Sequence, residues 1–282
     1  MLCPTLLQLS ELFFTLPVVL GCIALGGSAG FLGGMLGIGG GVIMVPGLLL
    51  LFDETGLFPG SATLVALGTS LSVIIFTSLA AARTQIKADK VLWPVVRRFS
   101  VWLVIGSFAA SAIAVVLPTV ALRTFIALFL FGVALVMLAN WKPDPTRDLP
   151  GTLGSGVLGT LAGIISGLAG IGGGNIVVPT LVYHNVPMHN ATATSSTLGV
   201  PVALAATTGY ALLGPVISSS VGSIQVGYIF VPAALVMVLA AVICAPLGVR
   251  FAHRTNANLL KKYFAGLLLL VASRMLYTTY MA

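Results

Sequence analysis

The sequence predicts an all-α integral membrane protein made of two inverted structural repeats. Each repeat is expected to contain a glycine-interrupted helix pair, one long helix and one half-helix, followed by three transmembrane helices. Three observations lead to this fold class: an apolar composition, a glycine-rich segment that occurs twice, and an uneven distribution of basic residues among the loops. Together they predict one polytopic unit without a separate soluble domain.

The composition indicates a protein that lies within a bilayer. Of 282 residues, 58% are hydrophobic and 7% are charged, whereas a soluble domain has about 25% charged residues. Apolar runs near the roughly 20 residues that span a bilayer recur along the whole chain. The formal net charge of +7 does not indicate nucleic-acid binding, because the basic residues lie in short loops where they set orientation. The three cysteines are isolated and predict neither a disulfide nor a metal site.

A glycine-rich segment occurs twice, 133 positions apart. In an alignment of 18 residues, 11 are identical, including Gly-Ile-Gly-Gly-Gly at residues 37–41 and 170–174 and the prolines Pro46 and Pro179. Such self-similarity predicts two halves built on one plan. The predicted divisions are a first repeat at residues 1–141, a linker at 142–150 and a second repeat at 151–282.

Apolar runs predict the spans of each half. The glycines interrupt each half after runs at residues 12–36 and 152–169, and the runs that follow, 42–52 and 176–184, are too short to cross a bilayer. These short runs predict half-helices. Further spans are predicted at residues 60–82, 99–117 and 120–141, then in a segment that ends near residue 213, and at 224–249 and 259–280.

The basic residues predict which loops face the cytoplasm. If the chain turns back at each glycine break, the loops at 83–98, 142–150 and 250–262 share one side and hold 5, 2 and 4 of the 13 basic residues. Cytoplasmic loops carry an excess of Lys and Arg, which places these loops in the cytoplasm. The corresponding loop of the second half, 214–223, has no charge. Equivalent loops on opposite sides predict halves related by a pseudo-two-fold axis in the membrane plane, an arrangement typical of secondary transporters and of some channels.

The two glycine breaks are the predicted binding site. A broken helix inside a bilayer leaves backbone amides without partners, which is tolerated only where the backbone is buried in protein or lines a polar cavity. Each half-helix begins after the glycines, so its free N–H groups and positive dipole end point into the break. The expected guest is an anion. The alternative is that the glycines only allow close helix packing, which we expect of Gly30, Gly34, Gly163 and Gly167.

Hydroxyl groups recur beside the breaks. Thr69-Ser70 in the first half matches Thr194-Ser195 in the second, 125 positions later. At 1.5 Å per residue, Thr69 lies about 15 Å into its span. Such hydroxyls either bond back to their own helix or face a polar cavity, and their recurrence favours the cavity. Asn175, which replaces Val42 of the first copy, is a further donor.

The acidic residues argue against a cation pathway. They are Glu11, Asp53, Glu54, Asp89, Asp144 and Asp148, and none lies in the middle of a predicted span. His184 and His189 are candidates for proton coupling, because histidine is the side chain suited to a charge change near neutral pH, or are ordinary interfacial histidines. No nucleophile set, metal cluster or nucleotide loop is recognised, so we expect no enzyme activity, no cofactor, no metal and no nucleic-acid partner.

At these residues the sequence resembles the sulfite exporter TauE/SafE family. The resemblance rests on Gly-Ile-Gly-Gly-Gly at residues 37–41 and 170–174, each followed by its proline, and on the two Thr-Ser pairs. It implies a bacterial-type inner-membrane permease for small anions, including sulfite and organosulfonates such as sulfoacetate, usually in the export direction. No basic residue lies in the predicted core, so backbone dipoles and hydroxyls, rather than an arginine, are expected to hold the substrate.

The leading hypothesis is therefore a secondary transporter of a small sulfur-containing anion that works by alternating access. An anion channel on the same scaffold is the alternative, and a membrane enzyme is a third. The predicted substrate-binding residues are Gly39, Gly40, Gly41, Thr69, Ser70, Gly172, Gly173, Gly174, Asn175, Thr194 and Ser195, with His184 as the candidate for proton coupling.

Overall fold

The computed structural model describes residues 16–36, 40–139, 151–214, 225–252 and 257–281, which are almost entirely helical. The helices are α1 (Leu16–Leu36), α2 (Gly41–Thr55), α3 (Ala62–Lys87), α4 (Trp93–Val116), α5 (Thr119–Leu138), α6 (Thr152–Ala169), α7 (Gly174–Tyr183), α8 (Met188–Leu213), α9 (Val231–Ala252) and α10 (Ala257–Met281). Two short strands, β1 (Gln225–Val226) and β2 (Ile229–Phe230), form an antiparallel hairpin before α9. The predicted all-α fold class is confirmed.

Helix length and composition match a membrane protein. Six of the described helices are long and apolar enough to cross a bilayer, namely α3, α4, α5, α8, α9 and α10. The helices that follow the glycines are shorter, with 15 residues in α2 and 10 in α7. At 1.5 Å per residue they are about 22 and 15 Å long, so neither crosses a hydrocarbon core of about 30 Å. Their bounds lie within three residues of the predicted half-helices.

The loop predicted at residues 83–98 is mostly helical. Helix α3 continues to Lys87 and α4 begins at Trp93, so only residues 88–92 connect them. The prediction ended the span at its first charged residue, which marks the end of the apolar run but not of the helical hydrogen bonds. Pro94 lies in the first turn of α4, where its missing N–H group has no intrahelical acceptor to lose.

The span predicted at residues 224–249 begins later than expected. A hairpin occupies its first residues, with Gln225 paired to Phe230 and Val226 to Ile229. Gly227 in the turn has φ +58°, a left-handed conformation that glycine adopts without steric cost. Apolar residues of the hairpin extended the hydrophobic run, which is why the sequence placed the start of α9 too early.

Corresponding helices of the two halves exchange partners: each packs on a helix of the opposite half. Helix α1 packs along α9, and its counterpart α6 packs along α4, while α3 packs along α8. A side chain on Gly30 would overlap the backbone of Ala241, and one on Gly163 would overlap the backbone of Leu103. Gly30 and Gly163 are matched positions 133 apart. Their contacts Leu103 and Ala241 are 138 apart, which is also the spacing between the first residues of α4 and α9. This exchange is what a two-fold relation between the halves produces.

The division into two repeats and their inversion in the membrane stay predictions. The linker at 142–150 lies outside the described residues, as do residues 215–223 of the charge-free loop and residues 253–256 of the loop predicted at 250–262. Residues 37–39 of the first break, which include the candidate Gly39, also lie outside them.

Two ion pairs join the end of α2 to the last helix of each half. Arg123 of α5 donates to both carboxylate oxygens of Asp53, at 2.8 and 3.1 Å, and to the hydroxyl of Thr63 at 2.9 Å. Arg274 of α10 donates to Glu54 at 2.6 Å. These are the two basic residues outside the loops predicted to be cytoplasmic, and each is neutralised by a carboxylate.

The close approach of α6 to α4 predicts a strict size limit at Gly163. We expect Gly163→Ala to lower the unfolding temperature, because the new methyl group meets the backbone of Leu103 and the Ser107 nitrogen at 2.9 Å. Overpacking of this kind costs about 1–3 kcal/mol. Thermal unfolding of the detergent-solubilised protein measures the effect. Gly132→Ala in α5 is the control, since its methyl group meets no atom within 4 Å; an equal loss in both variants would contradict this account of the packing.

Candidate functional site

The two glycine breaks touch each other. A Cβ atom on Gly41, the first residue of α2, would lie 3.2 Å from the carbonyl oxygen of Gly170 and 3.3 Å from Cα of Ile171. Ile74 of α3 fills the space beside them, because Cβ atoms on Gly41 and Gly172 would each lie 2.6 Å from its side chain. All of these residues are buried. The described parts of the breaks therefore form one backbone-lined contact in the protein interior.

Positive φ angles allow the chain to turn at these positions. Gly40 precedes α2 with φ +67°, and its match Gly173 precedes α7 with φ +81°. Gly170 has φ +66° and ends α6. Side chains other than glycine adopt this left-handed region at a cost of about 1–2 kcal/mol. The glycines are thus required by backbone geometry as well as by close approach.

Two carbonyl oxygens in the last turn of α6 have partners. The N–H group of Ile171 donates to the carbonyl oxygen of Ser166 at 2.9 Å, and that of Gly170 donates to Gly167 at 3.4 Å. Tyr210, fully buried on α8, donates its hydroxyl to the same Gly167 oxygen at 3.3 Å. This pattern is a Schellman-type helix end.

The amide ends of α2 and α7 are open. The N–H groups of Ile43 and Ile176 donate to the carbonyl oxygens of Gly40 and Gly173, at 3.3 and 3.1 Å. No acceptor among the described residues is recorded for the first two amides of either helix, and neither helix has a side-chain cap. These amides belong to Gly41, Val42, Gly174 and Asn175. Open amides at the start of a helix present positive partial charge, which favours an anion or another strong acceptor.

Unpaired polar side chains lie beside the second break. Ser166 of α6 is fully buried, and its hydroxyl has no hydrogen-bond partner among the described residues. It would lie 3.8 Å from a Cβ atom on Gly173. The side-chain nitrogen of Asn175, two residues further, is also buried without a partner. Buried polar groups are nearly always paired, so these groups indicate a guest or water molecules at this point.

Ser195 of α8 has a third unpaired hydroxyl and is 1% exposed. It lies on the helix face that carries Gly199 and Val202, since residues four and three apart share one face. A Cβ atom on Gly199 would lie 2.8 Å from the carbonyl oxygen of Gly172, and Val202 lies beside Gly173. Ser195 therefore lies on the face of α8 that packs on the second break. Thr207, three turns further along α8, is the fourth unpaired group in the described chain.

The other hydroxyls of the Thr-Ser pairs have protein partners. Thr69 accepts the N–H group of Phe230 at 3.0 Å, and Thr194 accepts that of Leu92 at 3.1 Å. Ser70 donates to the carbonyl oxygen of Leu67 in its own helix at 2.9 Å. Each threonine thus holds the backbone just before a helix of the opposite half. Of the four residues in these pairs, only Ser195 has an unpaired hydroxyl.

His184 lies away from the breaks. It follows α7, and the helix separates it from Gly174 by about 15 Å at 1.5 Å per residue. Its Nδ1 atom lies 2.7 Å from the carbonyl oxygen of Thr180. Because a carbonyl only accepts, Nδ1 carries the proton and Nε2 is the basic atom. The ring also packs edge-on against Tyr183, with centroids 5.2 Å apart.

Ser166 and Ile74 were missed by the sequence-based prediction. Ser166 occupies the position of Gly33 in the first copy, just as Asn175 occupies that of Val42. A polar residue that replaces an apolar one between matched copies was therefore a usable signal, and it was applied to Asn175 alone. No comparable signal exists for Ile74, because one apolar residue in a transmembrane run resembles its neighbours.

Comparisons with known proteins match nearly the whole chain. The family model for the sulfite exporter TauE/SafE matches residues 22–275. A Haemophilus influenzae protein named "Probable membrane transporter protein" is 28% identical over 261 residues, which cover 91% of this chain and 97% of that protein. A Methanocaldococcus jannaschii protein with a similar name is also 28% identical over 261 residues, covering 92% and 94%. No solved structure gives a significant match.

The threonine contacts predict a structural effect of substitution at Thr194. We expect Thr194→Val to lower the unfolding temperature, because the partly buried amide of Leu92 loses its acceptor, and an intramolecular hydrogen bond contributes about 0.5–1.5 kcal/mol. Thermal unfolding without substrate measures this loss. Thr208→Val is the control, since that exposed hydroxyl bonds only to Leu204 of its own helix. Equal unfolding temperatures for the two variants would show that the Thr194 contact does not stabilise the fold.

Proposed function

This chain belongs to the sulfite exporter TauE/SafE family, and we propose that it is a secondary transporter of a small sulfur-containing anion. Sulfite and organosulfonates are the proposed substrates, with export as the proposed direction. The relatives are named as membrane transporters, and six described helices are long and apolar enough to cross a bilayer. The protein is accordingly a multi-pass inner-membrane transporter. We propose its substrate class and its transport mechanism.

The observation that supports an anionic substrate is a group of unpaired hydrogen-bond donors at the break between α6 and α7. The amides of Gly174 and Asn175 have no recorded acceptor in the described chain, and the Ser166 hydroxyl and Asn175 nitrogen lie unpaired beside them. These groups can all donate hydrogen bonds. An anion with several oxygen atoms accepts such bonds and also interacts favourably with the positive end of the α7 dipole.

Neutral donors suit a transporter. In the described structure, the nearest atoms around Gly172 and Gly173 belong to Ile74, Ser78, Ser166, Val177 and Val202, and none is charged. Hydrogen bonds from amides and hydroxyls replace the hydration shell of the anion, while the absence of an arginine avoids the strong pairing that would slow release. Contact between the breaks supports a site between the two proposed halves, as alternating access requires.

Transport by purified protein in proteoliposomes tests the proposal. We expect saturable uptake of sulfite or sulfoacetate, with slower uptake of acetate and sulfate as comparison anions. Imposed proton gradients show whether uptake is coupled. A current far above carrier turnover would replace the transporter with a channel, and no movement of any of these anions would overturn the sulfur-anion assignment.

Gly173→Ala separates binding from folding. We expect it to raise the KM for sulfite about tenfold or more, because the methyl group would lie against the Ser166 hydroxyl, in the proposed site, while it meets no protein atom closer than 3.8 Å. Gly56→Ala is a matched control, since Gly56 also has positive φ, +66°, and meets no atom within 4 Å. Both variants carry similar backbone strain, so an equal loss of uptake would point to strain instead of an occupied site.

Proton coupling through His184 would act at the C-terminal end of α7 and not on the anion directly. We expect His184→Gln to remove the response of uptake to a proton gradient and to leave the KM for sulfite within about twofold, since the ring lies about 15 Å from the break. His189→Gln is the control, because His189 is exposed in the first turn of α8. An unchanged gradient response in His184→Gln would exclude this role.

A further inference from the structure

We propose that the two breaks are not equivalent: the anion is held by the break before α7 and not by the break before α2. This inference rests on the proposed function and specifies which half of the protein recognises the substrate. It also predicts one anion per chain, although the sequence contains two copies of the glycine motif.

The two breaks differ in the packing beside their left-handed glycines. Gly40 and Gly173 are matched positions with similar positive φ angles, +67° and +81°. A side chain on Gly40 would overlap the carbonyl oxygen of Ala29, so the backbone of α1 lies directly against this glycine. A Cβ atom on Gly173 would meet its nearest atoms, of Ser166, Val177 and Val202, at 3.8 Å, an ordinary van der Waals distance. The second break is therefore packed less tightly beside its glycine than the first.

The two breaks also differ in the hydrogen-bond donors that their side chains supply. The donor Asn175, in the first turn of α7, has Val42 as its match in α2, and Val42 is 1% exposed and apolar. The donor Ser166 has Gly33 as its match, which has no side chain to donate. Both donors of the second break are buried and unpaired. The second half thus adds two donors at positions where the first half has none.

These donors approach from different elements. The Ser166 hydroxyl comes from the last turn of α6, the Asn175 nitrogen from the first turn of α7, and the open amides of Gly174 and Asn175 from the start of α7. Because donors from two helices and the backbone act on one guest, a head group with three oxygen atoms fits better than a carboxylate with two. Sulfonate and sulfite heads have this form.

Exchange of matched residues tests the asymmetry. Sulfite uptake is measured for Ser166→Ala and Asn175→Val, which give the second break the character of the first. We expect each to raise the KM at least about tenfold, as for loss of a hydrogen bond to a charged group. We expect Val42→Thr, in the first break, to change the KM less than about twofold. We expect the same of Ser107→Ala, which removes a buried hydroxyl of α4 that bonds to Leu103 of its own helix.

A binding measurement separates recognition from folding. Sulfite is expected to raise the unfolding temperature of the wild type and of Val42→Thr, and to lose this effect in Ser166→Ala, while the unliganded proteins unfold at similar temperatures. Titration calorimetry is expected to give one sulfite per chain.

Each outcome has a distinct meaning. Equal changes in KM for Val42→Thr and Ser166→Ala, an unchanged KM in Ser166→Ala, or two sulfite ions bound per chain would overturn the asymmetry while leaving the proposed transport intact. Wild-type protein that neither takes up sulfite nor is stabilised by it would overturn the proposed function and this inference with it.

Discussion

Backbone amides that no helix can satisfy are the constraint on which the rest of this structure depends. Wherever a helix stops in apolar surroundings, its first N–H groups need acceptors. Here two helices, α2 and α7, begin in the protein interior, at glycines that touch across the molecule. Packing around them must exclude lipid while it keeps room for a guest, and the remaining helices provide that enclosure.

The exchange of partners between the halves provides this enclosure. Helix α1 packs on α9 and α6 packs on α4 through glycines that admit no side chain, so backbones meet directly. Thr69 and Thr194 then hold the chain before α9 and α4, respectively. The chain is therefore held at two matched points, one before α9 and one before α4.

The two copies of the motif share a backbone plan and differ in what they present. Both have a left-handed glycine before a half-helix, because that turn requires one in either half. Only the second copy adds polar side chains, Ser166 and Asn175, and it would admit a methyl group on its glycine without overlap. A few side-chain differences between the matched segments therefore distinguish the donors that each presents.

The sequence by itself determined the fold class, the helix order and the position of the breaks, because apolar run length and glycine repetition are local properties. It placed α6 at residues 152–169 and the end of α8 near residue 213, as the structure does. Pairing of hydroxyl groups was decided by the tertiary structure alone. Thr69 and Thr194 proved to bond backbone amides of distant segments, while Ser166 was left unpaired beside Gly173. Whether a buried hydroxyl is free depends on which distant residue reaches it, and no local pattern contains that information.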